Sequence, residues 1–184
     1  MHIHTSEQTS LDLGFGDYSC NWGVHFCGLY ENDAERDAIL LGFLSTGLRE
    51  GDLQIYCHNQ VDAGGFVSDL GHTCPDCASL MDDDDYLQIL AARDLYHPEG
   101  TFSPWDMDDG LNALYERTRQ GRAPNIRATA DMAWALEAVP GVEHLMAYES
   151  RLNYFIEGKP WISICLYDLN RFSGKIIMQV LQTH

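Results

Sequence analysis

The sequence predicts an α/β fold: a mainly parallel central sheet of about five strands with helices on both faces. Three observations carry this expectation. Short apolar runs of strand-like composition alternate with amphipathic stretches along the whole 184-residue chain. The first such unit, VHFCGLYEND at 24–33, reads as a strand, a turn and a helix start, with Asp33 as a cap. That is where a nucleotide-binding α/β protein keeps its glycine-rich phosphate loop, because backbone N–H groups at a helix start bind anions. Here the turn offers Tyr30, Glu31, Asn32 and Asp33, and its carboxylates repel a triphosphate. Neither G-x-x-x-x-G-K-[ST] nor G-x-G-x-x-G occurs in the chain.

The elements follow in order. Residues 1–23 show little periodicity and read as an N-terminal extension, with one domain over 24–184. After the first strand, Leu40, Phe43, Leu44 and Leu48 mark one face of a helix that Gly51 ends. A second strand spans 53–56 and runs into Cys57, His58 and Asn59; a short helix is expected over 61–70. A third strand lies near 87–90. Ser103, Pro104 and Asp106 form a helix start: N-cap, first helical position and first-turn acid. Residues 126–134 give a fourth strand and its exit, 142–156 a helix, 161–167 (WISICLY) a fifth strand, and 173–181 a last helix.

The net charge of −17 argues against direct binding to nucleic acid or an anionic membrane, both of which need basic surface. No apolar run approaches the ~20 residues of a membrane span. The first ten residues lack the pattern of a secretion signal, so the chain is expected in the cytoplasm.

In open α/β sheets ligands sit beyond the carboxyl ends of the strands. Those positions hold Tyr30 and Glu31, His58, Asp131 and Trp134, and Tyr167 and Asp168. Aromatic walls with a few placed polar groups describe a pocket for a small, weakly polar ligand. Tyr30, Trp134 and Tyr167 would be its walls; Glu31, His58, Asp131 and Asp168 would orient polar atoms. His25 reads as a hydrogen-bonded core histidine, and Glu149 as a partner of an ion pair with another element. With no nucleophile motif and no phosphate loop, the chain is read as a non-enzyme.

Four blocks carry a resemblance: HFCGLYEND at 25–33, RATADMAWALE at 127–137, AYESRLNYF at 147–155 and ICLYDLNRFSGKIIMQVLQTH at 164–184. They resemble the MEDS family, the methanogen/methylotroph DcmR-type sensory domain, from about His25 to the last residue. The resemblance implies a RecA/KaiC-like core without a working phosphate loop and a role in sensing small hydrocarbon derivatives beside a DNA-binding or kinase module. No helix-turn-helix or kinase sequence is present, so output is expected through a partner, a transcription factor or kinase, or through a part of the protein outside this chain; a homodimer is compatible with the sequence.

The stretch 72–85, containing HTCPDC, looks longer and richer in cysteine than the family's usual connection. His72, Cys74 and Cys77 form H-x-C-P-x-C, which suits a zinc or other transition-metal ion, a redox disulfide, a Cys-Pro haem contact, or plain loop cysteines. Cys57 or His58 would complete a tetrahedral metal set. The alternative function is therefore a metal- or thiol-redox-responsive regulator.

Overall fold

Five parallel strands form the centre of the computed structural model, which describes residues 11–16, 19–59 and 63–184. A two-residue hairpin, β1 (Leu11–Asp12) and β2 (Ser19–Cys20), precedes them. The sheet strands are β3 (Val24–Tyr30), β4 (Leu53–His58), β5 (Leu87–Ala91), β6 (Ile126–Asp131) and β7 (Trp161–Asp168), in spatial order β3-β7-β6-β4-β5. Every strand pair in this sheet is parallel, as the alternation of strand and helix requires.

Helices cover both faces. On one side lie α1 (Asp33–Glu50) and α2 (Gly64–Thr73), through Leu40, Phe43, Leu44, Phe66 and Leu70. The short α3 (Ala78–Met81) and α4 (Ala92–Tyr96) flank β5 in sequence. On the other side α5 (Pro104–Thr118), α6 (Leu145–Ile156) and α7 (Gly174–Thr183) contribute Met107, Leu111, Tyr148, Leu152 and Val180. Strand residues alternate between the two cores: Trp161, Cys165 and Tyr167 face α5 and α6, while Ile162, Ile164 and Leu166 face α1. Burial on both faces explains why β4 and β7 are apolar almost throughout.

Local chemistry sets the boundaries. The cap of α1 is Asn32, one residue before the expected Asp33. Asn32 Oδ1 accepts from the Glu35 amide at 3.0 Å, and Glu35 Oε2 accepts from the Glu31 amide at 2.8 Å. This reciprocal pair is a capping box. Gly51, at φ 76°, ends the helix with its N–H on the carbonyls of Gly47 and Leu48. The fourth strand stops at Asp131, because its carboxylate accepts from the Ala133 amide at 3.0 Å and turns 132–136 into a 3-10 coil. The helix expected over 61–70 runs over Gly64–Thr73; residues 60–62 lie outside the described ones.

Residues 11–23 were expected as an extension, and the described part of them packs on the α1 side. Leu11 and Leu13 are buried there. Arg127, fully buried on β6, clasps this segment. It donates to Asp52 Oδ2 (3.0 Å), Glu50 Oε2 (2.5 Å) and the Asp12 carbonyl (2.8 Å), and its guanidinium lies over the Trp22 and Phe43 rings. Gly47 leaves room for it: a Cβ there would stand 2.5 Å from Arg127 Cδ. Among the described residues no helix is long and apolar enough to cross a membrane.

Candidate functional site

The strand ends gather a polar set on the α1 side. Tyr30 and Asp168 are register partners, and Asp131 pairs with Leu166 one strand over. Burial, then the nearby charges of Asp131 and Asp168, push the Tyr30 hydroxyl up to about 12 against the pull of Arg36 and Arg171. Burial likewise raises the Asp131 carboxyl, although the Ala133 amide and the same two arginines oppose it. His58 is buried with Nδ1 lacking a hydrogen-bond partner, its ring 6.0 Å from Tyr56. Glu31 is exposed, and its amide is taken up by the capping box.

Trp134 and Tyr167, expected as walls of the same pocket, belong to the opposite core. Trp134 is fully buried and stacks on Tyr96 with centroids 4.5 Å apart and planes 15° apart, Phe102 leaning on it at 4.9 Å. Tyr167 donates to Glu149 Oε1 at 2.5 Å and packs edge-on against Phe172. The sheet divides the seven expected residues, so they do not face one common space.

A partly open apolar space does exist between the sheet and the α5–α6 layer. Its floor is made of small side chains: Cys57 on β4, Ala128 and Ala130 on β6, Ser163 and Cys165 on β7. Met107, Leu111 and Leu152 roof it, and Tyr96, Tyr148 and Trp161 stand around it. About 50 Å³ is open to the centres of water-sized spheres there. That is several times the ~10–15 Å³ that admits one water. Leu90, Leu95, Met107, Leu111 and Leu114 also line a neighbouring groove of about 960 Å³ beside α5.

The expected metal ligands part company too. Cys74 and Cys77, buried on the α1 side, are joined as a disulfide with Cα atoms 5.3 Å apart. Cys57 lies in the opposite core, so it cannot be their partner ligand. His72 is exposed on α2; among the described residues only Asp76 joins the two cysteines at ligand spacing.

A third cluster escaped the sequence reading. His25, Glu149, Cys165 and His184 converge from β3, α6, β7 and the end of α7. Burial lowers His25 to about 4, despite the Glu149 charge. Burial would raise Glu149, but hydrogen bonding from His184 and the charges of both histidines outweigh it, and its carboxyl is held below the usual range. Burial raises the Cys165 thiol well above its ordinary value.

Residues 24–184 match the model of the MEDS domain, described as the methanogen/methylotroph DcmR sensory domain. The chain belongs to the MEDS family. Its sequence is similar to the transcriptional repressor DcmR of Methylorubrum extorquens (strain DSM 6343 / CIP 106787 / DM4). The two are 26% identical over 180 residues, covering 97% of this chain and 62% of the repressor's length. The fold is similar to a crystal structure of a KaiC-like protein from Pyrococcus horikoshii OT3. That match has a TM-score of 0.56 and 12% identity, over 86% of this chain and 70% of that one. The chain thus has an α/β fold like that of the KaiC-like protein, in a family described as a sensory domain, and it spans less than two thirds of the repressor it resembles.

Cavity residues were invisible as a set because they come from seven elements. The signal that was present is the pair Ala128 and Ala130, small residues at alternate positions of a buried strand. His25 and Cys165, each read as a core residue, gain their meaning only from the β3–β7 register.

Proposed function

We propose that this MEDS domain senses a small, weakly polar molecule, of the size of a one- to few-carbon hydrocarbon derivative. The molecule sits between the sheet and the α5–α6 layer, and occupancy is relayed to a transcription-factor or kinase partner in the cytoplasm. The observation that carries the reading is the cavity. Small floor residues leave a space that apolar and aromatic side chains border, with the Ser163 hydroxyl, already accepting from Trp161 Nε1 at 3.0 Å, within its lining. Pockets of this character fix a ligand by shape and one or two polar contacts. The site moves from the strand ends to the sheet surface under α5 and α6, and Tyr30, Asp131 and Asp168, on the α1 side, take no part in it. The reading is regulatory, with no catalytic step assigned. The start of α1 supports it, since Asn32 already takes the Glu35 amide and the first turn carries Asp33 and Glu35, which repel an anion.

Thermal-shift and calorimetric titration with small alcohols, halomethanes and amines tests it. Stabilisation by at least one class is expected, and Ala130→Leu, which fills the floor, should abolish it while the fold persists. No stabilisation by any class, or a shift unchanged in the filled variant, refutes the assignment.

The Cys74–Cys77 disulfide favours a second reading, a thiol-redox response. Reduction should then change the contact with a regulatory partner, and Cys74→Ser with Cys77→Ser should lock the reduced behaviour.

A further inference from the structure

The His25–Glu149–Cys165–His184 cluster turns four donor atoms toward one another, and its hydrogen bonds fix how each is presented. Asn153 Nδ2 donates to the Thr183 carbonyl at 2.7 Å, so Asn153 Oδ1 is the acceptor 3.0 Å from His25 Nδ1. His25 therefore carries its proton on Nδ1. His184 Nδ1 faces the Val180 carbonyl at 2.9 Å, which only accepts, so His184 carries its proton there too. Both rings aim Nε2 inward. The two Nε2 atoms are 3.1 Å apart, each 3.3 Å from Glu149 Oε2, and Cys165 Sγ lies 3.2 Å from His25 Nε2. Glu149 is fully buried, with Oε2 facing both Nε2 atoms.

We propose that these four side chains form a binding site for a divalent first-row transition ion of the zinc class. Two imidazoles, a thiolate and a carboxylate are a tetrahedral N/S/O donor set. Bonds of ~2.0–2.3 Å to a tetrahedral ion place donors about 3.3–3.7 Å apart; the His25 contacts with His184, Glu149 and Cys165 and the His184–Glu149 contact, at 3.1–3.3 Å, are near this, and His25, Glu149 and Cys165 offer ligand atoms within 4.8 Å of one another. The outer contacts are those of ligating histidines, each Nδ1–H fixed by an oxygen, and Tyr167 holds the other oxygen of Glu149 at 2.5 Å. An open groove of about 620 Å³, lined by Val24, Asn153 and Thr183, reaches His25 and His184 from solvent. On binding, the ion replaces the Cys165 thiol proton, which leaves to water, and the metal–sulfur bond forms. This site is separate from H-x-C-P-x-C and does not depend on the cavity reading.

The test is titration of reduced, chelator-stripped whole protein with Co²⁺ alone, then Zn²⁺, in a Cys74→Ser/Cys77→Ser background. About one equivalent of Co²⁺ should bind with tetrahedral visible bands and a near-ultraviolet sulfur-to-cobalt band, both displaced by Zn²⁺. Cys165→Ser should lose the near-ultraviolet band, and Asn153→Leu should weaken binding by about 10–100-fold. His184→Gln, at the end of α7, should abolish the tetrahedral spectrum without touching the core, which keeps the readout should a buried variant fail to fold. Absence of these bands in the folded background protein overturns the proposal. So does a spectrum unchanged by Cys165→Ser and His184→Gln, or binding seen only when Cys74 and Cys77 are restored.

Discussion

Leu152→Ala examines whether the space under α6 is a single, guest-accepting void. Leu152 is 3% exposed and borders the cavity directly. Truncation removes three methylene-sized groups, costing about 2.4 kcal/mol at ~0.8 kcal/mol each. It also adds roughly 60 Å³ of void, about 1.4 kcal/mol at ~24 cal/mol per Å³. The expected loss is therefore about 4 kcal/mol, or a fall in Tm of roughly 8–16 °C at ~2–4 °C per kcal/mol. The enlarged void should accept a guest bigger than the native one can, such as benzene. At a hundredfold excess over its Kd, that guest restores about 2.7 kcal/mol. Urea denaturation with and without guest measures both terms. A loss below about 1 kcal/mol would show that the helices close the gap. A full loss with no rescue by any small apolar guest would show that the space does not connect into a binding volume. Either result refutes the cavity argument.

Three other outcomes are expected. Arg127→Met leaves Asp52, 1% exposed, without its buried partner and should cost about 3–5 kcal/mol by urea melting, whereas the half-exposed Glu50 contact adds little. Asn32→Ala removes the acceptor for the Glu35 amide and should cost about 1 kcal/mol, read as the same midpoint shift. Burial raises the Asp131 carboxyl, so above the unfolded value near ~3.9 the native chain keeps a proton that the unfolded chain has lost. Stability should fall as pH rises through that window and stay lower above it. Asp131→Asn should flatten this profile and raise the midpoint at neutral pH; an unchanged profile would show that Asp131 is ionised without penalty.

The fold was legible because apolar period and helix caps agree along the chain. Ser103 accepts from the Asp106 amide, and Gly51 closes α1, as the residue types alone require. Residues 126–134 hold a strand and its exit, and Asp131, which caps its own turn, sets where one passes into the other. The site was far less legible. A strand end shows which residues stand at the edge, but a shift of one position changes the face. Tyr167 and Asp168 are neighbours in sequence, and the sheet separates their side chains into different cores. Strand adjacency was also hidden: β7 inserts between β3 and β6, which alone brings Ser163 and Cys165 beside Ala128 and Ala130. His25 and His184 stand 159 positions apart, too far for any spacing motif to announce them.

Strand β6 works as a lever with a load on each side. Ala128 and Ala130 form the bed on which a guest would rest, while Arg127, between Ile126 and Ala128, grips the N-terminal hairpin through the Asp12 carbonyl. Wedging that bed must lean on the grip, so the hairpin is where a partner could feel that the bed is occupied.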